Sequence, residues 1–285
     1  MNFNNKNIHI GYLVLSIISL FLFSCENFIE LVPYVPKVVV EGRIENDRYA
    51  SVMLSTSASM DGPKDPESLL EHAIRTAKVT VSDGVNTEVL VLQTNNNILP
   101  PYEYKGTVLK GEIGKQYFLK IEYNDKVITS KTYIPQPVKL DSVWTVAENN
   151  SPNKGYIHIR FRNETRDYYQ VSTRTLADDN IFTPCLYGNL DPTLYPADKD
   201  VSIQINKGPI IFPEVDLSTE FDLTKPTIIR FATQPQSAYK FWNSYQNEIL
   251  NTQNPIFPAN SSLPTNINGG IGIWSGYGTT YYRLD

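Results

Sequence analysis

The chain has 285 residues, a formal net charge of −5 and 41% hydrophobic residues, enough for one large or two ordinary domains with their own cores. An acidic balance gains nothing from phosphate backbones, so nucleic acid is not expected as a partner. Cysteine occurs twice, at 25 and 185; with Cys25 assigned to lipid below, no intramolecular disulfide can form, and the fold must stand on apolar packing.

Met1–Asn7 is polar with one cation, Lys6, and Tyr12–Phe23 (YLVLSIISLFLF) carries no charge. At ~1.5 Å per residue this run reaches about 18 Å, well short of a bilayer core of ~30 Å. It reads as the apolar region of a signal peptide spanning 1–24. Leu22-Phe23-Ser24-Cys25 follows and resembles the lipobox of lipoprotein precursors, although Phe23 is bulkier than such sites usually carry. Cleavage after Ser24 and acylation of Cys25 are expected, and several acyl chains hold a protein to a membrane durably. Residues 25–36 read as a tether, because Pro33 and Pro36 disfavour helix and central strand.

From Lys37 the pattern is a series of short strands. Val38–Ile44, Ser51–Ser59, Lys78–Ser82, Thr87–Gln93, Lys115–Tyr123 and Val127–Ile134 alternate apolar with polar residues, and Asp83-Gly84 is a hairpin signal. Strands at this spacing predict an immunoglobulin-like sandwich over 37–136, with a transthyretin-like arrangement equally allowed. Pro135-Gln136-Pro137 is the expected domain boundary. A second β-rich domain, 137–285, is expected beyond it. Its strands are Leu140–Val146, Tyr156–Arg162, Tyr168–Thr175, Val201–Asn206 and Thr227–Thr233; a helix covers Ser237–Leu250, with Ala238, Phe241, Tyr245, Ile249 and Trp242 on its apolar stripe. Gly269–Tyr282 reads as a glycine-rich strand pair, and 176–200 and 207–222 read as long irregular loops. On Tyr156–Arg162, His158, Arg160 and Arg162 share the polar face, which should meet water or a partner.

Chemical signatures are sparse. Gly269-Gly270-Ile271-Gly272 onward misplaces the third glycine of a nucleotide fingerprint and has no acid at the required distance, so the glycines serve backbone approach. Ser275 lacks the flanking glycines of a nucleophile elbow. His72 and His158 sit far apart in sequence, and no ligand set of zinc-site spacing is present. Cys185 reads as a small buried residue. Asp178-Asp179 and Asp198-Lys199-Asp200 cluster without the ordered spacing of a calcium loop. No catalytic, cofactor or metal residues are assigned.

Taken in order, the lipobox, VVVEGRI (38–44), LSTSAS (54–59), the VSDG hairpin (81–84), GKQYFLKIEYNDKVITSKTYIP (114–135), LDSVW (140–144), Asn254-Pro255 and NINGGIGIWSGYG (266–278) resemble the Bacteroidota lipoprotein family catalogued as domain of unknown function 4249. That resemblance covers essentially the whole chain after residue 24. It implies an outer-membrane lipoprotein, on the periplasmic or the cell-surface face, often found beside a TonB-dependent receptor, and no activity. The expectation is therefore a non-enzymatic, membrane-anchored accessory or binding protein. Asp178, Asp179, Tyr187 and Tyr195, in the long excursion, are the candidate partner-binding residues. Two other readings stand beside it: a glycan- or peptide-directed hydrolase using loop carboxylates, and a structural or adhesive surface lipoprotein.

Overall fold

The structure, a computed structural model, describes residues 34–57, 70–164, 167–210, 216–252 and 263–285. Cys25, the signal segment and most of the tether lie outside them, as do most of the 61–72 loop, Asn254-Pro255 and the side chain of Ile249. In chain order the strands are β1 (Val38–Glu45), β2 (Tyr49–Thr56), β3 (Lys78–Ser82), β4 (Thr87–Val89), β5 (Val91–Thr94), β6 (Tyr102–Lys110), β7 (Gln116–Tyr123) and β8 (Lys126–Tyr133). There follow β9 (Leu140–Glu148), β10 (Ser151–Arg162), β11 (Tyr168–Thr175), β12 (Thr183–Leu190), β13 (Asp200–Ile205), β14 (Phe221–Asp222), β15 (Thr227–Gln234), helix α1 (Gln236–Thr252) and β16 (Ile271–Leu284). The protein is mainly β, with a helix near its C-terminal end.

An eight-stranded sheet in the order β12-β11-β15-β16-β1-β2-β6-β5 forms the backbone of the molecule. Two four-stranded sheets accompany it, one of β4-β3-β7-β8 and one of β9, β10, β13 and β14. Alternation puts Val40, Ile44 and Val52 on the same face as Trp274, and these meet Val79, Val81, Leu119 and Ile121 of the first small sheet in one core. On the continuation of that face, Tyr169, Val171, Ile229 and Phe231 meet Ile157, Ile159 and Phe161 of the second small sheet in another.

The expected boundary at 135–137 falls between these cores, but it does not bound two contiguous domains. β16 pairs in parallel with β1 through Ile271–Tyr277 and antiparallel with β15 through Gly278–Leu284. The last strand of the chain therefore carries Trp274 into the first core, and Pro36–Asp285 is one compact unit. The proline linker crosses β16 at its glycines: a methyl group at Gly276 would collide with the Tyr133 carbonyl oxygen, and one at Gly278 with that of Pro135.

Three further expectations are corrected. Gly269–Tyr282 is not a strand pair: after a turn at Gly269-Gly270 it runs as one long strand, β16. Thr87–Gln93 is not one strand, because the chain changes sheets at buried Leu90, β4 pairing with β3 and β5 with β6. The 176–200 excursion is not a loop: it holds β12 and a 3-10 turn at Pro192–Leu194, and β12 supplies Cys185 and Leu190 to the second core.

Candidate functional site

The opposite face of the large sheet carries the chemistry. There Glu41, Arg43 and Glu45 of β1 lie beside Ile273, Ser275 and Tyr277 of β16, and Tyr281 lies beside Arg230 of β15, itself beside Ser172 of β11. Helix α1 follows β15 directly, its first turn capped by the Pro235 carbonyl, which accepts from the N–H groups of Ala238 and Tyr239. Its Ala238 and Phe241 close on Ile273, with Trp242 and Leu263 at the margin.

Beneath this edge lies a buried ion pair. Arg230 Nη2 is 2.8 Å from Glu45 Oε1 with both side chains under 10% exposed (7% and 9%), and Arg230 Nε donates to the same oxygen at 3.1 Å. Tyr281 O–H donates to Glu45 Oε2 at 2.6 Å, Gln170 Oε1 accepts from Arg230 Nη1 at 3.3 Å, and the guanidinium lies 4.8 Å over the Tyr277 ring. Trp242 Nε1–H closes the set by donating to Tyr277 Oη at 2.8 Å. Burial alone would raise the Glu45 carboxyl, but the charge of Arg230, the Tyr281 hydrogen bond and Arg43 outweigh it and hold the group below its ordinary value. Burial pushes the Tyr277 hydroxyl up, partly offset by Arg230. Burial also raises Tyr281, and the carboxylate of Glu45 adds to it.

At its open side the cluster continues as a row of alternating cations and rings. The Arg48 guanidinium lies 4.9 Å over Tyr281, Tyr281 is 5.6 Å from Phe182, and Arg174 lies 5.3 Å over Phe182. A second, separate row stands on the outward face of the β9–β10 sheet. Trp144 and His158 are register partners with rings stacked 5.4 Å apart; Arg160 lies 5.7 Å from the indole and donates to Ser202 Oγ at 3.2 Å. The polar face of β10 thus presents a solvated cation–aromatic ladder.

The residues expected to bind a partner are not brought together. Asp178 is held by Lys225 Nζ at 2.8 Å, and Asp179 Oδ2 accepts from the Thr175 N–H at 2.8 Å, so both close the turn after β11. Tyr195 sits at the other end of that strand, half-buried with its ring 6.5 Å from Phe161, about 20 Å away at ~3.3 Å per strand residue. Tyr187, 65% exposed, belongs to β12. Cys185 is buried, and desolvation pushes its thiol up to about 12. His72 meets Thr56 at 2.9 Å, and Ser275 is buried with its hydroxyl turned to the neighbouring Gly276 carbonyl, so neither histidine is its partner. Among the described residues no group of three His, Cys, Asp or Glu side chains could hold a metal ion.

A family model described as a domain of unknown function (DUF4249) matches residues 26–283. The chain belongs to that family. A search of curated proteins found no match. In this DUF4249 protein the match runs from ahead of β1 into β16, so both cores and the Glu45–Arg230 cluster lie within the family region. Sequence reasoning passed over that cluster although a signal existed. Arg230 interrupts the apolar run TIIRFATQ, and a charge inside such a run needs a partner; that the partner is Glu45, from the first strand, is a tertiary fact.

Proposed function

We propose that this protein is a non-enzymatic binding component of the bacterial outer membrane, attached through lipid on Cys25 and working beside a TonB-dependent receptor. The observation that carries the anchoring is the junction at Cys25. The uncharged Tyr12–Phe23 run ends at Ser24-Cys25, and the family match begins at the next residue, Glu26, as it would if the segment before the cysteine were removed. Among the described residues no helix is long and apolar enough to cross a membrane, and lipid supplies attachment without one. The resemblance to Bacteroidota lipoproteins supports the receptor as partner, and the solvated Trp144–His158–Arg160 row offers the kind of aromatic and arginine surface that anchors interfaces.

Fractionation tests the anchor. Wild-type protein should sediment with outer membranes and partition into detergent, and Cys25→Ala should stay uncleaved or become soluble. Mature, membrane-bound Cys25→Ala protein would overturn the reading. Crosslinking in intact cells tests the partnership: recovery of a TonB-dependent receptor supports it, and reproducible absence of one removes it.

A further inference from the structure

On the helix-covered face of the large sheet, Arg174 has no carboxylate beside it among the described residues, whereas Arg43 shares its charge with its strand neighbours Glu41 and Glu45. Arg230 is paired with Glu45 at 2.8 Å, Arg283 with Asp285 at 2.6 Å, and Arg48 lies 3.8 Å from Glu45 Oε2. Arg174 makes no hydrogen bond or ion pair among the described residues. It is nevertheless held in place: its Cζ lies 5.3 Å over the Phe182 ring, and its Nε is sealed from solvent without an acceptor. Neither Nη atom is sealed in this way, so the terminal edge of the guanidinium is the part open to a ligand. A buried donor left unpaired and a fixed, uncompensated charge are both unfavourable, and a protein that keeps them has a use for the group.

We propose that Arg174 anchors a binding site for a ligand that carries a carboxylate on a flat apolar body. The two Nη groups form a planar two-donor edge that matches a carboxylate in both spacing and shape. One unpaired positive charge is balanced by one carboxylate. Phe182 and Tyr281, in contact at 5.6 Å, continue the cation–ring row on which an apolar ring stacks. Arg48, 60% exposed at the other side of Tyr281, adds a positive field that attracts the same charge. The site is independent of the lipid anchor, so its failure and that of the membrane reading are separable.

Benzoate is the probe, because it has a carboxylate on a ring and little else; benzyl alcohol and inorganic phosphate are the controls. With the purified full chain, benzoate should bind saturably, benzyl alcohol should not, and phosphate should bind more weakly than benzoate. Arg174→Gln should weaken benzoate by about tenfold or more, the loss of one charge-assisted bidentate contact, and Arg48→Gln by a smaller factor. Equal affinity in Arg174→Gln, or equal binding of benzyl alcohol, overturns the site, and tighter binding of phosphate overturns the carboxylate assignment. Should Arg174→Gln fail to fold, the unaltered protein decides. Phenylglyoxal labels accessible guanidinium groups, and benzoate should slow labelling of Arg174 while leaving the solvated Arg160 unchanged, as read by peptide mass spectrometry. Equal slowing at both positions, or none at Arg174, contradicts the proposal.

Discussion

Glu45 and Arg230 are separated by most of the chain, yet each removes the other's burial penalty. Two buried charges are tolerated because the pair is close and its remaining polar atoms meet Tyr281 and Gln170. Removing one partner leaves the other buried and uncompensated. Arg230→Met should therefore cost on the order of 3–5 kcal/mol in urea unfolding, and the double change Glu45→Leu with Arg230→Met should cost less than the single one. A double-variant cost equal to the sum of the two single costs would mean that the two side chains do not interact. The pH dependence follows from the direction of the Glu45 shift. Its folded carboxyl is held below its ordinary value, so its contribution is fully present above the unfolded value of about 4.3. That contribution is lost as pH falls through the lower folded value. Wild type should lose stability in acid more steeply than Glu45→Gln, which starts lower and lacks this proton uptake; parallel pH profiles would contradict the assignment.

β16 shows what an element's sequence reveals and what it withholds. Strand character, the Asp83-Gly84 hairpin, helix 237–250 and burial of Cys185 were legible, because alternation, turn chemistry and helical spacing are local signals. The glycines of NGGIGIWSGYG were legible as places of close backbone approach. That the backbone approaching Gly276 and Gly278 is the 133–135 linker was not, since nothing local marks a crossing between residues so far apart. The same limit turned one long strand into an apparent pair, and made β12 look like a loop because Pro184 and Gly188 interrupt its alternation. For the candidate site, a polar face on β10 was readable, whereas the Arg174–Phe182–Tyr281–Arg48 row depends on three separated segments. Two expectations belong to this scale. Gly276→Ala should cost about 1–3 kcal/mol through overpacking against the linker, measured by denaturant midpoint, and a neutral effect would mean that the linker does not cross there. Deleting 178–198 removes β12 with Cys185 and Leu190, so it should abolish cooperative unfolding rather than merely trim a surface; a stable, cooperatively folding deletion would show that β12 is dispensable.

At the scale of the whole molecule, one sheet serves two cores, and β16, in the middle of that sheet, joins them. β16 gives its first half to β1 and its second half to β15, and each half faces a different small sheet. Neither core is complete without it: the first would lose Trp274, and the second would lose the flank formed by Tyr282 and Leu284. A binding surface placed on the other face, as the Arg174 row is, then rests on a support that cannot open in one half alone. Native-state hydrogen exchange tests the shared strand most directly. Amides of β7, in the first core, and of β10, in the second, should exchange through the same global opening, with equal free energies and equal denaturant dependence. Should one group exchange through an opening of markedly lower free energy while the other stays protected, the two halves would be independent domains and the shared-strand account would be wrong.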